Sequence, residues 1–136
     1  MLINISGEPP RTTAQEKKIA VVNGRPRVYT TKAVSAAQAY YRGTFEAHAI
    51  GHKPIEGPIR LSVMFGFGTD DKQKLRQLWK TTRPDTDNMV KILKDELTHA
   101  GVWLDDAQVV EENVKKLWVP RKDAGVSILI EELEEN

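Results

Sequence analysis

Residues 83–108 read RPDTDNMVKILKDELTHAGVWLDDAQ, and the middle of this segment has the pattern of an amphipathic helix. Apolar side chains recur there at helical spacing, which places them on one face. They are Val90, Ile92, Leu93 and Leu97. Gly101 follows them, and glycine commonly closes a helix at its carboxyl end. The sequence therefore predicts a helix over residues 87–99 with one buried face.

Upstream of this helix, residues 59–67 show the alternation of a β-strand that buries one face. The apolar positions are Ile59, Leu61, Val63, Phe65 and Phe67. An alanine-rich segment at 31–51 predicts another helix, which Gly51 would end. Residues 69–83 are polar and basic, and their pattern leaves open either a short helix or a mobile loop.

Shorter strands are predicted towards both ends of the chain. Residues 1–5 alternate apolar and polar side chains, and residues 18–22 and 28–30 flank Asn23-Gly24, a dipeptide typical of hairpin turns. Two more strands are predicted at 108–119 and 126–130. This order indicates an α+β fold, in which two main helices pack against a mixed or mostly antiparallel sheet rather than forming an array of βαβ units.

The length of 136 residues suits a single domain. We expect it to span residues 1–136, with its core at about 18–130 and an acidic tail at 131–136. No apolar run approaches the roughly 20 residues of a membrane helix, and the N-terminus lacks the pattern of a signal peptide. These features predict a cytoplasmic protein without a membrane partner.

The absence of cysteine excludes disulfides, thiolate nucleophiles and cysteine zinc sites. The three histidines, His48, His52 and His99, are too scattered to indicate a zinc motif. Any metal chemistry in this chain should therefore depend on oxygen and nitrogen ligands, and we assign no chemistry to the histidines.

The net charge of +1 hides a separation of signs along the chain. Four of the 19 acidic residues lie in the predicted tail, so the rest of the chain has 15 acidic against 20 basic residues. The clustered basic side chains are Arg25, Arg27, Lys32, Lys72, Lys74, Arg76, Lys80 and Arg83. A solvated surface is the plain interpretation. However, the second group leads directly into an acidic motif, which favours a nucleic-acid partner.

Acidic side chains bracket the predicted helix: Asp85 and Asp87 lie at its start, and Asp105 and Asp106 follow it. Carboxylate oxygens are the ligands that Mg²⁺ prefers, and three close aspartates could bind the ion beside a substrate phosphate. Bringing the two pairs together requires the chain to turn back towards the helix start. The same residues could instead cap the helix and form a turn, and spacing alone does not decide between these interpretations.

Lys91 lies one helical turn after Asp87, where it could contact the scissile phosphate or form an ordinary helix salt bridge. Trp79, Trp103 and Trp118 could stack on bases. For tryptophans at strand and helix positions, a place in the core is the commoner role.

Taken together, Arg83-Pro84-Asp85-Thr86-Asp87-Asn88, Lys91, Asp95 and the run Trp-Leu-Asp-Asp-Ala-Gln-Val at 103–109 resemble the RusA family of Holliday junction resolvases. The pattern is Arg-x-Asp-x-Asp-Asn, a lysine three residues later, a helix, and then Asp-Asp-x-Gln-Val. The resemblance is strong over 83–119 and looser at 25–42, at 59–67 and in the closing strand. The first two dozen residues match poorly.

This resemblance implies an endodeoxyribonuclease of the kind found in bacteria and their phages or prophages, active in DNA recombination and repair. It implies an intertwined homodimer that binds four-way junctions and makes paired symmetric nicks with Mg²⁺, for which Mn²⁺ can substitute. The metal-binding aspartates of the family fall on Asp85, Asp87 and Asp106, with Asp105 beside them. The essential lysine falls on Lys91, and Lys116 matches a further basic position.

The basic stretch at 72–80 looks like an enlarged loop for this family, which leaves the preferred substrate open. Two alternatives follow. One is a protein that binds branched DNA without cutting it, and the other is a metal nuclease that acts on flaps or other branched DNA.

Overall fold

The computed structural model describes residues 1–12 and 17–134, and its centre is a four-stranded sheet. The strands in chain order are β1 (Leu2–Ser6), β2 (Lys17–Val22), β3 (Arg25–Thr30), β4 (Ile59–Thr69), β5 (Val109–Pro120) and β6 (Gly125–Glu132). The central sheet has the order β1-β6-β4-β5, with β4 and β5 parallel and the other pairs antiparallel. The predicted mixed sheet of an α+β domain is confirmed.

In residues 1–12 and 17–134, the α-helices that accompany the sheet are α1 (Lys32–Ala49), α2 (Lys72–Gln77) and α3 (Thr86–Ala100). The side chain of Thr31 begins α1 by accepting a hydrogen bond from the Val34 N–H at 3.2 Å. Gly101 ends α3 with a left-handed φ of 79°, as its position predicted. Residues 69–83 were predicted to form either a short helix or a mobile loop. The segment contains the short helix α2, which is followed by a loop.

The core lies between one face of the sheet and the two long helices. The five alternating apolar residues of β4 are all buried, as predicted. Buried side chains of α1 and α3 join them in one cluster, including Tyr41, Phe45, Leu93 and Leu97. On the opposite face of β4, Met64 is exposed, so the long helices do not cover this part of the sheet.

Strand β2 pairs with β3 in a separate two-stranded sheet. Asn23 and Gly24 form its turn with φ angles of 53° and 74°, which confirms the hairpin predicted from that dipeptide. Pro26 in β3 pairs with Val21. A proline is tolerated there because a two-stranded sheet leaves each strand with a free edge.

The connection from β4 through α3 to β5 sets the position of the acidic residues. Because β4 and β5 are parallel, α3 must run back along the sheet between their ends. Two contacts mark this arrangement: Lys94 in the middle of α3 pairs with Glu112 at 3.0 Å, and Lys116 donates to the Pro84 carbonyl just before the helix at 2.8 Å. One βαβ unit therefore exists within the α+β sheet.

The last strand includes part of the predicted acidic tail. Glu131 and Glu132 belong to β6, where Glu131 pairs with Arg60 at 3.6 Å and Glu132 accepts a hydrogen bond from the Gly57 N–H at 3.3 Å. These two residues are therefore part of the sheet. Across residues 1–12 and 17–134, none of the helices combines the length and apolar character needed to cross a membrane.

Candidate active site

Two lysines hold the loop that leads into α3. The Lys116 ammonium donates to the carbonyls of Thr82 and Pro84, both at 2.8 Å. The Lys80 ammonium donates to the Thr82 hydroxyl at 2.6 Å and to the Arg83 carbonyl. Because hydrogen bonds from a charged donor are stronger than neutral ones, these contacts fix the backbone just before Asp85.

Asp85 and Asp87 lie exposed at the amino end of α3. The helix begins at Thr86, so Asp85 occupies the N-cap position and Asp87 the first turn. The Asp85 side chain makes no capping hydrogen bond. The capping interpretation therefore does not explain Asp85, and both carboxylates face solvent where a cation could reach them.

Lys91 pairs with Asp95 one turn further along α3, at 3.1 Å. This is the ordinary helix salt bridge that the sequence left open, and it is made with Asp95 rather than Asp87. The Lys91 side chain is 58% exposed. An exposed pair of this kind contributes only about 0.3–0.5 kcal/mol, so Lys91 can exchange it for a substrate phosphate at little cost.

Asp105 shapes a turn after α3. Its carboxylate accepts a hydrogen bond from the Ala107 N–H at 2.9 Å and caps a short 3₁₀ helix, Asp106–Gln108. The Gln108 amide completes the turn by accepting from the N–H groups of Leu104 and Asp105 and donating to the carbonyls of Ile55 and Gly57. The turn interpretation is therefore right for Asp105.

Asp106 differs from its neighbour because its carboxylate has no part in the turn. The side chain is half-buried, and across the described parts of the chain it has no hydrogen bond or ion pair. Asp106 is thus the acidic residue of this pair that remains available to a ligand.

The structure does not bring Asp106 to Asp85 and Asp87 within one chain. Helix α3 has 15 residues, which at about 1.5 Å per residue gives a length of about 22 Å. Asp85 lies at its start, whereas Asp106 follows its end and precedes β5. No group of three or more histidine, cysteine or acidic side chains that could hold a metal ion occurs within residues 1–12 and 17–134. The turn back to the helix start, which a site within one chain would require, is therefore not made by the described residues.

Comparison with known proteins shows which family this sequence belongs to. The model of a family described as endodeoxyribonuclease RusA matches residues 8–131, nearly the whole chain. The chain belongs to the RusA family. A crossover junction endodeoxyribonuclease of Lactococcus phage r1t is 33% identical over 111 residues, which cover 78% of this chain and 79% of the phage protein. RusA-family proteins of this kind are nucleases, so this chain is an endodeoxyribonuclease by family.

Two further relatives differ in how much of the chain they resemble. The uncharacterized protein YqaN of Bacillus subtilis is 32% identical over 111 residues, covering 72% of this chain and 76% of YqaN. The crossover junction endodeoxyribonuclease RusA of Escherichia coli K12 is 54% identical over 39 residues, only 29% of this chain and 32% of that protein. The similarity to this RusA is thus high but confined to a short segment.

Among the basic residues predicted to bind DNA, Lys80 has an unexpected position in this RusA-family chain. Its side chain is 3% exposed and lies over the rings of Phe67 and Trp118, at 5.1 and 4.9 Å from their centres. Burial, reinforced by the charges of Arg11, Lys116 and Lys74, lowers the pKa of Lys80 to about 8. We therefore correct the prediction for Lys80: its ammonium is enclosed by the loop and not presented to a phosphate.

The other predicted DNA-binding residues of this RusA-family chain divide by position. Lys116 is half-buried at the loop, whereas the following are exposed: Arg25 and Arg27 on the hairpin, Lys32 at the start of α1, Lys72, Lys74 and Arg76 on α2, and Arg83 before α3. Arg11 was missed. It lies over the Phe67 ring at 4.9 Å and contributes to the positive field around Lys80. No sequence pattern signals this contact, because it depends on the N-terminal segment returning to the end of β4.

Proposed function

We propose that this chain is a resolvase that binds four-way DNA junctions and, with a divalent metal ion, makes paired symmetric nicks in recombination and repair. One observation carries this proposal. Asp85 and Asp87 stand exposed at the amino end of α3, and Asp85 makes no capping hydrogen bond, in a chain of the RusA family. The name of the phage relative, a crossover junction endodeoxyribonuclease, supports the choice of substrate.

The donor set fits Mg²⁺, with Mn²⁺ as a substitute, because both ions accept carboxylate oxygens. Asp85 and Asp87 form one half of such a site, and Asp106, beside the turn made by Asp105, supplies the other half. Since about 22 Å of helix separates these halves in one chain, a complete site requires two chains. A twofold axis that sets two α3 helices antiparallel would bring Asp106 of one copy to Asp85 and Asp87 of the other.

This requirement gives a physical reason for the homodimer. A twofold dimer would hold two identical sites, each formed by both copies, and neither site would exist in the monomer. Two sites related by a twofold axis match the approximate twofold symmetry of a four-way junction. Each site would cut one of two opposing strands, so the nicks would be symmetric.

When bound, the divalent cation supplies Lewis-acid stabilisation of the negative charge that builds on the phosphodiester. The residues of this chain do the rest. Lys91 places a cation one turn beyond Asp87, where it can neutralise charge at the scissile phosphate. The exposed basic residues of α2, the hairpin and Arg83 hold neighbouring phosphates without reading sequence, and this contribution should weaken steeply with salt.

We further propose that residues 1–136 act as one domain, and that the protein works in the cytoplasm. The family match over residues 8–131 supports this extent. The core of this domain extends beyond the expected 18–130, because β1 belongs to the central sheet and Ile3 is buried in the core.

The proposal is tested by cleavage of a labelled four-way junction in Mg²⁺, beside linear duplex and flap DNA. We expect wild type to nick the junction symmetrically and Asp87→Asn to cut it at least about 100-fold more slowly, because the substitution removes a metal ligand while preserving size. Asp123→Asn, at another exposed aspartate, is the matched control and should cut like wild type.

Each alternative has its own outcome in this assay. Tight junction binding without cutting by wild type would favour a protein that binds branched DNA only. Preferential cutting of the flap would indicate a flap nuclease. Equal cutting by wild type and Asp87→Asn would exclude the proposed metal site.

A further inference from the structure

The three tryptophans occupy different environments. Trp103 is 1% exposed, and its indole N–H donates to the Thr98 hydroxyl at 2.7 Å, so it belongs to the core. Trp118 is half-buried beneath the ammonium groups of Lys74 and Lys80. Trp79, by contrast, is 53% exposed. Of the three, only Trp79 presents much of its ring to a ligand.

The turn that carries Trp79 has an unusual backbone. Leu78 adopts a positive φ of 68° with a ψ of −55°, a combination that is uncommon for a bulky residue. Such conformations persist where the surrounding structure imposes them, and they concentrate at functional positions. This residue ends α2 and turns the chain so that Leu78 and Trp79 lie exposed together.

This turn is firmly attached to the end of β5. The Trp118 N–H donates to the Leu78 carbonyl at 2.7 Å, and the Lys80 N–H donates to the Lys116 carbonyl at 3.1 Å. Trp79 itself forms an antiparallel bridge with Leu117. The backbone of Trp79 is therefore held on both sides, so binding a ligand there costs little conformational entropy.

The surroundings of Trp79 are strongly basic. Residues 72–84 contain five basic side chains and no acidic one. Within the described ranges of the chain, Lys72, Lys74 and Arg76 of α2 form no ion pair with a carboxylate. An exposed indole beside unpaired cations suits a nucleic acid, because bases can stack on the ring while phosphates meet the cations.

Trp79 lies close enough to the acidic residues at the start of α3 for both to contact the same DNA molecule. Trp79 and Asp85 are six residues apart, so their Cα atoms lie no more than about 20 Å from each other even if the chain is extended. Along one strand of a duplex, about 20 Å corresponds to about six base steps. A single DNA molecule can therefore contact Trp79 and the Asp85 end of α3 at once.

We propose that Trp79 is a base-stacking site for an unpaired or unstacked nucleobase at the branch point of the DNA substrate. The site rests on the proposed function, since it names the part of branched DNA that the enzyme recognises next to its metal site. A continuous duplex keeps its bases stacked inside, whereas a branch point interrupts stacking and leaves base faces accessible. Trp79 thus distinguishes branched from linear DNA, while the α2 cations bind both.

The test measures binding in the Asp87→Asn background in Mg²⁺, with a four-way junction and a linear duplex of the same arm sequence. Trp79→Ala should weaken junction binding about 5- to 150-fold, the loss expected for one stacked base, and change duplex binding less than about twofold. Trp79→Phe should restore junction affinity to within about threefold, because phenylalanine keeps an aromatic face. Ile50→Ala, which trims another exposed apolar side chain, is the control and should bind the junction like the parent.

Tryptophan fluorescence gives an independent measurement that uses Trp79→Phe, so the test remains valid even if Trp79→Ala does not fold. Junction binding should quench the emission of the parent protein, and the quenching should be lost in Trp79→Phe although Trp103 and Trp118 remain. Unchanged quenching in that variant would overturn the proposal.

Three binding results would also overturn it: junction affinity of Trp79→Ala within about twofold of the parent, an equal loss for junction and duplex, or a shift from dimer to monomer. The last would mean that Trp79 contacts a second copy of the chain. Failure of the proposed function looks different, because it appears in wild type, which would then leave the junction uncut or would cut the flap in preference to it.

Discussion

Two adjacent aspartates show how far the surroundings of a residue decide its role. Asp105 and Asp106 have the same side chain, but the Asp105 carboxylate caps the 3₁₀ turn and the Asp106 carboxylate does not. The sequence identified both as candidates because both belong to the Asp-Asp-x-Gln motif. The family resemblance placed the catalytic aspartate on Asp106, but spacing alone could not separate the two, since the difference arises from the direction that each side chain takes in the turn.

Asparagine substitutions at these two positions should therefore have unequal effects. Asp106→Asn should slow junction cleavage at least about 100-fold because the proposed site loses a metal ligand. Asp105→Asn should stay within about threefold of wild type, since asparagine caps a helix about as well as aspartate. Cleavage rates at saturating junction measure both, and equal losses would contradict the separate roles.

At the scale of elements, the loop before α3 depends on two lysines whose roles were not visible in the sequence. Lys80 and Lys116 were predicted to bind DNA, yet both donate to backbone carbonyls of residues 82–84. A basic run normally indicates a solvated surface or a phosphate contact. The burial of Lys80 results from the return of the loop over Phe67 and Trp118, a tertiary contact with no local signal.

The buried Lys80 should make the stability of the protein depend on pH. The pKa of Lys80 is lowered to about 8 from 10.5, so between these values the unfolded chain holds a proton that the folded chain has released. The free energy of unfolding should therefore rise as pH increases from about 8 to 10.5. Lys80→Met has no titrating group at this position. Relative to this variant, the free energy of unfolding of wild type should rise by about 1–3 kcal/mol across this pH range.

Urea unfolding of the two proteins at several pH values gives this comparison directly. The groups charged around the Lys80 ammonium are Arg11, Lys74, Lys116 and Glu8, and all are present in both proteins. Parallel curves for wild type and Lys80→Met would show that Lys80 titrates normally and is not enclosed by the loop.

The elements with strong local patterns were predicted well. The helix predicted at 87–99 is observed as Thr86–Ala100, and the strand predicted at 59–67 as Ile59–Thr69. The sequence did not decide whether residues 69–83 form a helix. Helix α2 has six residues, and Leu75 is the apolar one among them, so no helical spacing of apolar residues can be seen. The sequence does indicate where α2 begins, because aspartate is a common N-cap residue, and the Asp71 carboxylate accepts a hydrogen bond from the Gln73 N–H at 2.8 Å.

For the whole molecule, the sequence predicted the acidic residues but not their separation. Whether Asp106 returns to Asp85 depends on which strand β5 joins and in which direction. The parallel pairing of β4 and β5 places the two acidic groups at opposite ends of α3, and this long-range pairing has no local sequence signature. In the proposed function, this separation is the reason why a second copy of the chain is required to complete the metal site.

Cleavage by mixed dimers tests this central claim most directly. Asp87→Asn and Asp106→Asn, each inactive alone, are refolded together so that copies exchange. If each site takes Asp85 and Asp87 from one copy and Asp106 from the other, the mixed dimer has one intact site. We expect single nicks at about a quarter of the wild-type rate, because half the dimers are mixed and each has one of two sites. No cleavage by a mixture that forms mixed dimers would show that each site lies within one chain and would contradict the shared site.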